Sequence, residues 1–287
     1  IKPEVLAEIQ AEREAIKAEA QANGTFMKAP NGKATNLNEA QWIDVRTKRF
    51  KDWFGDWEND AKNASKVVDE NGEPLVVYHG TNQNFNEFSQ EKLGINTGTV
   101  SSRAFFFTED QEEATEYAFL AAKKLISNED LINEKSEKLL KQIEIAERKG
   151  NWDLAEKLYL ELEENELGAI NEGDTTGASV YPIFLNIRNS NNYDFEERVD
   201  LAKISELIDD KRFDGLQLFN VFDPVGDRPN SQSTKQWVAY NPNQIKSATA
   251  NVGTYSASSN DIRFSINSTT PLSVKEQTEV INDLVAN

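Results

Sequence analysis

His79 is the only histidine among the 287 residues of the chain. It follows an apolar run at residues 75–78 and precedes Gly80 and Thr81. Turn residues at 71–74 come directly before the run, so we predict a buried strand that begins at a surface turn and ends at His79. Chemistry that requires an imidazole has to use this residue. Gly80 leaves room for a ligand beside the backbone, and the alternative is a half-buried histidine that only bonds a nearby carbonyl.

A tyrosine on a predicted helix is the second residue that could contact a ligand. A bulky strand at residues 104–108 leads into an acidic helix start at residues 108–113, for which we expect Thr108 to be the cap. Alanines and Tyr117 recur at steps of three and four along this helix, which places the Tyr117 ring on the face toward the sheet. The alternative role of Tyr117 is that of an ordinary core side chain.

A glutamine lies at the beginning of a third segment, the predicted strand at residues 235–240, which Asn241 and Pro242 end. The period of two places Trp237 and Ala239 on one face of this strand. The side chains of the opposite face are Gln236, Val238 and Tyr240. By itself, a polar residue at the beginning of a strand indicates no function.

In their order and spacing, the three segments resemble the ADP-ribosyltransferase fold in its His-Tyr-Glu form, which diphtheria-toxin-like toxins and poly(ADP-ribose) polymerases share. The first strand of that family carries His-Gly-Thr or His-Gly-Ser, as residues 79–81 do here. The next strand and helix supply an aromatic residue and, some eleven positions later, a tyrosine, which correspond to Phe106 and Tyr117. A later strand of the type Glu-Tyr-Ile-Val-Tyr matches residues 236–240.

The longer pattern is similar to the ADP-ribosyltransferase-like domains embedded in large phage and mobile-element polyproteins, known as polyvalent proteins. The segments that carry this similarity lie at residues 49–57, 65–74, 181–187, 214–216, 241–247 and 261–265. The resemblance implies an α+β protein with the ADP-ribosyltransferase fold. Its expected parts are a split two-sheet β core, flanking helices and a helical-hairpin insertion.

The resemblance implies a glycosyltransferase that breaks the bond between nicotinamide and ribose in NAD. Positive charge develops on the sugar in the transition state, and the site must stabilise it. By resemblance, the Gly80 backbone holds the nicotinamide carboxamide and His79 bonds a ribose hydroxyl. Tyr117 and Phe106 stack on the nicotinamide from opposite sides. Thr81 supports the end of the strand by hydrogen bonding.

Gln236 stands where active members of this branch carry the catalytic glutamate. An amide can form hydrogen bonds but has no charge, so the resemblance allows both a weaker enzyme and an inactive relative, and an engineered Glu-to-Gln change is a further alternative. If the alignment is right, Gln236→Glu raises activity up to about a hundredfold. Arg103, just before the phenylalanine strand, is a candidate partner of the NAD pyrophosphate, with a solvated surface arginine as the alternative.

Composition excludes several classes of chemistry. The formal net charge of −18 disfavours nucleic acid as a partner. The chain has no cysteine and one histidine, which excludes disulfides, thiolate nucleophiles and multi-histidine metal sites, so we expect no metal. NAD as the substrate is what the family resemblance implies. We find no run long enough to cross a membrane and no signal-peptide pattern. The chain begins at Ile1, in a helical stretch, and not at Met, which is typical of a fragment.

We expect three parts along the chain. Residues 1–35 form an N-terminal helix and linker, residues 36–265 the ADP-ribosyltransferase-like domain, and residues 266–287 a tail with a helical pattern. The first helix either docks on the core or belongs to a preceding domain. An acidic hairpin of helices is inserted at about residues 122–170, with apolar residues at 139, 143, 146, 154, 158 and 162. Its charged run is a solvated face, and the alternative is an arm that recognises the acceptor.

The leading hypothesis is a mono-ADP-ribosyltransferase that modifies a macromolecule, in particular a host protein, as a toxin or effector. The resemblance to phage polyproteins implies the cytoplasm of a bacterial host cell, including after delivery. One alternative is a catalytically weak NAD-binding module of a phage polyprotein. The other is an NAD glycohydrolase, in which water takes the ribose.

Overall fold

The computed structural model describes residues 2–93, 103–130, 134–167, 178–195, 201–221 and 234–263. The helices of these residues are α1 (Pro3–Asn23), α2 (Glu39–Asp44), α3 (Lys48–Phe54), α4 (Gln111–Asp130), α5 (Glu134–Arg148), α6 (Trp152–Leu167) and α7 (Leu201–Asp209). The strands are β1 (Val77–Thr81), β2 (Phe105–Thr108), β3 (Ser179–Leu185), β4 (Ser190–Asp194), β5 (Gly215–Val221), β6 (Thr234–Ala239) and β7 (Ile245–Ser247). The predicted tail at residues 266–287 lies outside the described residues.

The seven strands form one mixed sheet in the order β4-β5-β6-β2-β1-β3-β7. β1 pairs with β3 along its whole length, whereas β1 and β2 meet at the pair Tyr78–Thr108. The sheet thus has a four-stranded half and a three-stranded half, joined at a narrow junction. The predicted α+β class is confirmed, and its two sheets are the two halves of one continuous sheet.

Strand alternation gives the sheet two faces at this junction. The first, which we call the aromatic face, carries His79, Phe107 and Trp237, and the latter two lie in a buried cluster. The opposite face, which we call the α4 face, carries Gly80 and Gln236, and α4 packs there against β1 and β3. The predicted alternation of β6 is confirmed, because Val238 and Tyr240 belong to a separate cluster that includes residues of α7.

The first helix docks on the core. Ile9 is buried, and Ala20 belongs to the cluster that contains Trp42 and Phe50. The α1 residue Arg13 also donates two hydrogen bonds, at 2.6 and 2.9 Å, to a carboxylate at the end of α2. Of the two alternatives for this helix, docking is the one that the structure has. The boundaries of the three predicted parts remain predictions.

Helices α5 and α6 form the hairpin that the acidic insertion predicts. The chain reverses at Gly150, whose φ of 68° lies in the left-handed region that favours glycine. The side chains buried between the helices are Leu139, Ile143, Ala146, Ala155, Leu158 and Leu162. Leu154 is exposed, contrary to its place in the predicted stripe, because Ala155 takes the position that faces α5.

Candidate functional site

The sequence predicted that His79 lies at the end of its strand. In the structure it lies in the middle of β1. The strand is longer because β3 continues beside it, as far as Thr81 opposite Ser179. On its other side, β1 is paired with β2 at Tyr78–Thr108. Beyond that pair, the Phe106 carbonyl oxygen meets a His79 ring nitrogen, Nδ1, at 2.9 Å. At this place a hydrogen bond from the His79 side chain stands in for backbone hydrogen bonds between the two strands. We call it the β1–β2 opening.

The surroundings of His79 determine its protonation. A carbonyl oxygen only accepts, so Nδ1 carries the proton and Nε2 holds a lone pair that can accept a hydrogen bond. The ring is half-buried against Phe88 and Phe107, with centroid distances of 5.1 and 5.6 Å. Burial lowers the pKa of His79 below the ordinary value of 6.5, and the bond to Phe106 opposes this shift. His79 is therefore neutral at pH 7.

Gly80 lies where α4 touches the sheet. A Cβ at this position would come within 1.9 Å of the Ala114 carbonyl oxygen and 2.8 Å of the Ala118 nitrogen. Both are backbone atoms of a helix, and they cannot move aside to make room as the end of a flexible side chain could. The glycine is required for close helix–strand packing, whether or not its own backbone also holds a ligand. Its predicted contact with a carboxamide stays a prediction.

Phe106 and Tyr117, the predicted stacking residues, are both half-buried. Phe106 packs beside Val238 in the cluster that α7 covers. Tyr117 follows the buried Ala114 by three residues and precedes the buried Ala118 on α4. Each ring therefore combines a packed part with a part that a ligand can reach.

Two other predicted contact residues are bonded within the protein. Arg103 donates to the Ser205 carbonyl at 3.4 Å, and also to the Ser205 hydroxyl and the Asp209 carboxylate of α7. A pyrophosphate would have to compete with Asp209 for this guanidinium. Thr81 is buried, and its hydroxyl accepts the Gln83 N–H at 3.2 Å. The roles of Arg103 and Thr81 in NAD binding stay predictions.

Gln236 is buried and contacts the carboxylate of Glu113, a residue that sequence reasoning did not single out. Gln236 Nε2 donates to Glu113 Oε1 at 3.2 Å. The Thr234 hydroxyl shares its proton between the same oxygen, at 3.2 Å, and the Val221 carbonyl oxygen, at 3.4 Å. The Thr108 hydroxyl donates to the other oxygen, Oε2. Three donors therefore converge on one carboxylate. Glu113 is 4% exposed, so water hardly reaches this carboxylate.

Sequence reasoning missed Glu113 because its segment is typical of an acidic helix start. The cap is Asp110 and not Thr108: the Asp110 carboxylate accepts the N–H groups of Glu112 and Glu113 at 2.8 and 3.2 Å. Thr108 accepts the Asp110 N–H at 3.0 Å and donates its own proton to Glu113. The signal that could have found Glu113 is its position four residues before Tyr117, which puts both on one side of the helix.

The structure does not bring all the predicted catalytic groups to one face. Tyr78 lies opposite Thr108, and Thr108 lies opposite Gln236. Alternation then places Gln236 on the α4 face and His79 on the aromatic face. Trp237, the neighbour of Gln236, packs in the cluster of the aromatic face. A ligand that contacts both His79 and Gln236 has to extend around the β1–β2 opening.

The fold and these motifs define an ADP-ribosyltransferase domain, a class that uses NAD as its substrate. A family model described as ADP-ribosyltransferase in polyvalent proteins matches residues 69–255. The match covers more than half of the chain, from just before β1 to beyond β7, and the chain belongs to this family. The resemblance to the ADP-ribosyltransferase domains of polyvalent proteins is thereby confirmed. No curated protein and no solved structure is a significant match.

Over the described ranges, no helix is long and apolar enough to cross a membrane. The same ranges contain no group of three or more His, Cys, Asp or Glu side chains that could hold a metal ion.

Because the folded protein keeps its only histidine neutral, His79 makes stability depend on pH. The unfolded chain takes up a proton there as the pH falls through about 6.5, whereas the folded chain, in which burial lowers the pKa of His79, takes it up only at a lower pH. His79 therefore costs stability below that pH and nothing above it. We expect the stability of the native protein relative to His79→Gln to decline between about pH 7 and 5, by at most about 1.4 kcal/mol per pH unit.

Urea unfolding at a series of pH values measures this difference. The glutamine amide can still donate to the Phe106 carbonyl, so the comparison isolates the titration from the hydrogen bond. A stability difference that stays constant from pH 7 to 5 would show that the folded protein accepts the charged imidazole.

Proposed function

We propose that this domain is a mono-ADP-ribosyltransferase that moves ADP-ribose from NAD to a host protein. The observation that carries the proposal is the neutral His79 at the β1–β2 opening, with Nδ1 bonded to the Phe106 carbonyl. Its Nε2 lone pair fits a ribose hydroxyl, which can donate to it. Membership in the family supports NAD as the donor.

The reaction divides into one bond broken and one bond formed. The bond between ribose C1′ and the nicotinamide nitrogen breaks, and its electron pair neutralises the pyridinium ring. C1′ then bonds the nucleophilic atom of the acceptor, whose proton leaves to solvent. In this proposal His79 orients the ribose, the Gly80 backbone holds the carboxamide, and Gln236 faces the sugar as it becomes cationic.

The other predicted residues have supporting roles in the proposal. Tyr117 and Phe106 supply partly exposed rings on which nicotinamide stacks. Thr81 holds the end of β1 through its bond to the Gln83 amide. Arg103 is retained as the candidate for the pyrophosphate, which has to displace Asp209 from it.

We expect Tyr117→Ala to weaken NAD binding about tenfold or more, because a lost stacking contact removes roughly 1–3 kcal/mol. Phe119→Ala is the matched control: this ring is on the same helix, two residues away, and it is 37% exposed. Titration calorimetry measures NAD affinity for both variants. If Tyr117→Ala keeps the native affinity but lowers the unfolding free energy by about 3–5 kcal/mol, Tyr117 is a core residue.

Two features favour a protein as the acceptor. The net charge of −18 repels the phosphates of nucleic acids. The hairpin also exposes the apolar side chains of Ile145 and Leu154, which line a shallow cavity of about 240 Å³ together with Ala146 and Leu158. Exposed apolar side chains that lie together, here beside the polar Gln142, Lys149 and Asn151 of the same cavity, are a feature of protein-binding surfaces. We assign acceptor recognition to this cavity, and the setting to the cytoplasm of a bacterial host that a phage or mobile element exploits.

Incubation with radiolabelled NAD and a bacterial lysate tests the proposal. A transferase leaves label on material that protease removes and nuclease does not. Intact NAD that binds without labelling any macromolecule would indicate a weak NAD-binding module. Free nicotinamide without a labelled acceptor would indicate an NAD glycohydrolase. Gln236→Ala should lose the labelling and retain most of the NAD affinity, since it removes a contact that matters most in the transition state.

The same assay tests the hairpin. We expect Leu154→Ser to lower labelling of the acceptor and to leave nicotinamide release into water unchanged, because it alters the cavity and not the NAD site. Leu160→Ser is the matched control, since Leu154 and Leu160 are both 44% exposed on α6 and Leu160 is not part of the cavity lining. Equal labelling by the two variants would remove the hairpin cavity from acceptor recognition.

A further inference from the structure

Glu113 is a buried charged group that the proposed reaction does not yet use. Its carboxylate accepts hydrogen bonds from Thr108, Thr234 and Gln236. Removing a carboxylate from water is costly unless such donors compensate it. The three donors can therefore stabilise the ionised form of Glu113 directly beside Gln236, which by resemblance stands in the place of a catalytic glutamate.

The contact with Glu113 determines how the Gln236 amide is oriented. An ionised carboxylate has only acceptor atoms, so Gln236 has to direct its NH₂ group toward it. The amide oxygen, Oε1, is then on the side away from Glu113. An oxygen acceptor is the group that a ribose hydroxyl requires. A freely turning amide would present its NH₂ to the ribose for part of the time, and Glu113 prevents this.

We propose that Glu113 is a positioning residue of the transferase site, which orients Gln236 and supplies the negative charge that its amide lacks. This inference rests on the function proposed above. The Glu113 carboxylate contacts the Gln236 amide on the side away from the sugar, in surroundings from which water is largely excluded. There it acts on the cation that forms at the sugar more strongly than it would in water. The amide contacts the ribose, and the carboxylate behind it carries the charge.

The pair changes the expected effect of Gln236→Glu. A glutamate at this position would put two carboxylates within hydrogen-bonding distance, and one proton would be shared between them. The single variant therefore gains no net charge near neutral pH. In the exchange variant Glu113→Gln/Gln236→Glu, one charge remains, and it belongs to the residue that contacts the sugar.

The experiment measures nicotinamide release and NAD affinity for the native protein, the two single variants and the exchange variant. We expect Glu113→Gln to lower kcat about tenfold to a hundredfold while KM changes less than about threefold. We expect the exchange variant to regain the native kcat or to exceed it. Glu112→Gln, which neutralises the exposed neighbouring carboxylate, is the matched control and keeps the native rate.

Each outcome separates the role of Glu113 from the function itself. A native rate in Glu113→Gln, or a loss that the exchange does not restore, overturns the role of Glu113 while the transferase function stands. No nicotinamide release from the native protein or any variant overturns the proposed function and the role of Glu113 with it. If Glu113→Gln does not fold, the pH profile of Gln236→Glu decides. The shared proton predicts a new ionisation in kcat above neutral pH, and a profile like that of the native protein overturns the inference.

Discussion

The close packing of α4 on β1 is the contact on which the proposed site depends. A Cβ on Gly80 would lie 1.9 Å from the Ala114 carbonyl oxygen, so the helix rests directly on the strand backbone. This contact sets the height of the helix above the sheet. The residue before Ala114 is Glu113, and the same packing brings its carboxylate to Gln236. Tyr117 lies about one turn further along the same helix.

Burial, and not overall composition, controls charge at the site. A chain of net charge −18 keeps its one histidine neutral beside a backbone carbonyl, and it surrounds one carboxylate with three donors. A buried negative charge repels NAD, which is an anion, but attracts the sugar as it becomes cationic. Since only the difference between ground state and transition state changes kcat, we expect such a charge to raise kcat and not to tighten NAD binding. This is the physical reason to expect a separation of kcat from KM at Glu113.

The family match begins at residue 69, yet the segments before it complete the core. Phe50 and Phe54 of α3 pack with Phe184 of β3 in one buried cluster. The Ser65 hydroxyl donates to the Leu185 carbonyl and accepts the N–H that follows β3 at residue 187. Because β3 pairs with the whole of β1, these N-terminal segments support the strand that carries His79.

The sequence by itself determined the local elements and the order of the motifs. The alternation of Trp237 and Val238, the phenylalanine strand and the hairpin turn at Gly150 all follow from residue types that lie close together in the chain. The family could be recognised for a similar reason, because its three motifs keep their order and their short internal spacings. Only the tertiary structure decided how far β1 extends, since that depends on pairing with β3, about a hundred residues later.

The partner of Glu113 was likewise decided by the tertiary structure. Glu113 and Gln236 are 123 positions apart, so no local pattern relates them. A helix start rich in acidic residues looks the same whether one carboxylate is buried or all are solvated, because periodicity reports the direction of a side chain and not what lies in that direction. Burial is a property of two segments that meet, and the sequence of either segment alone does not contain it.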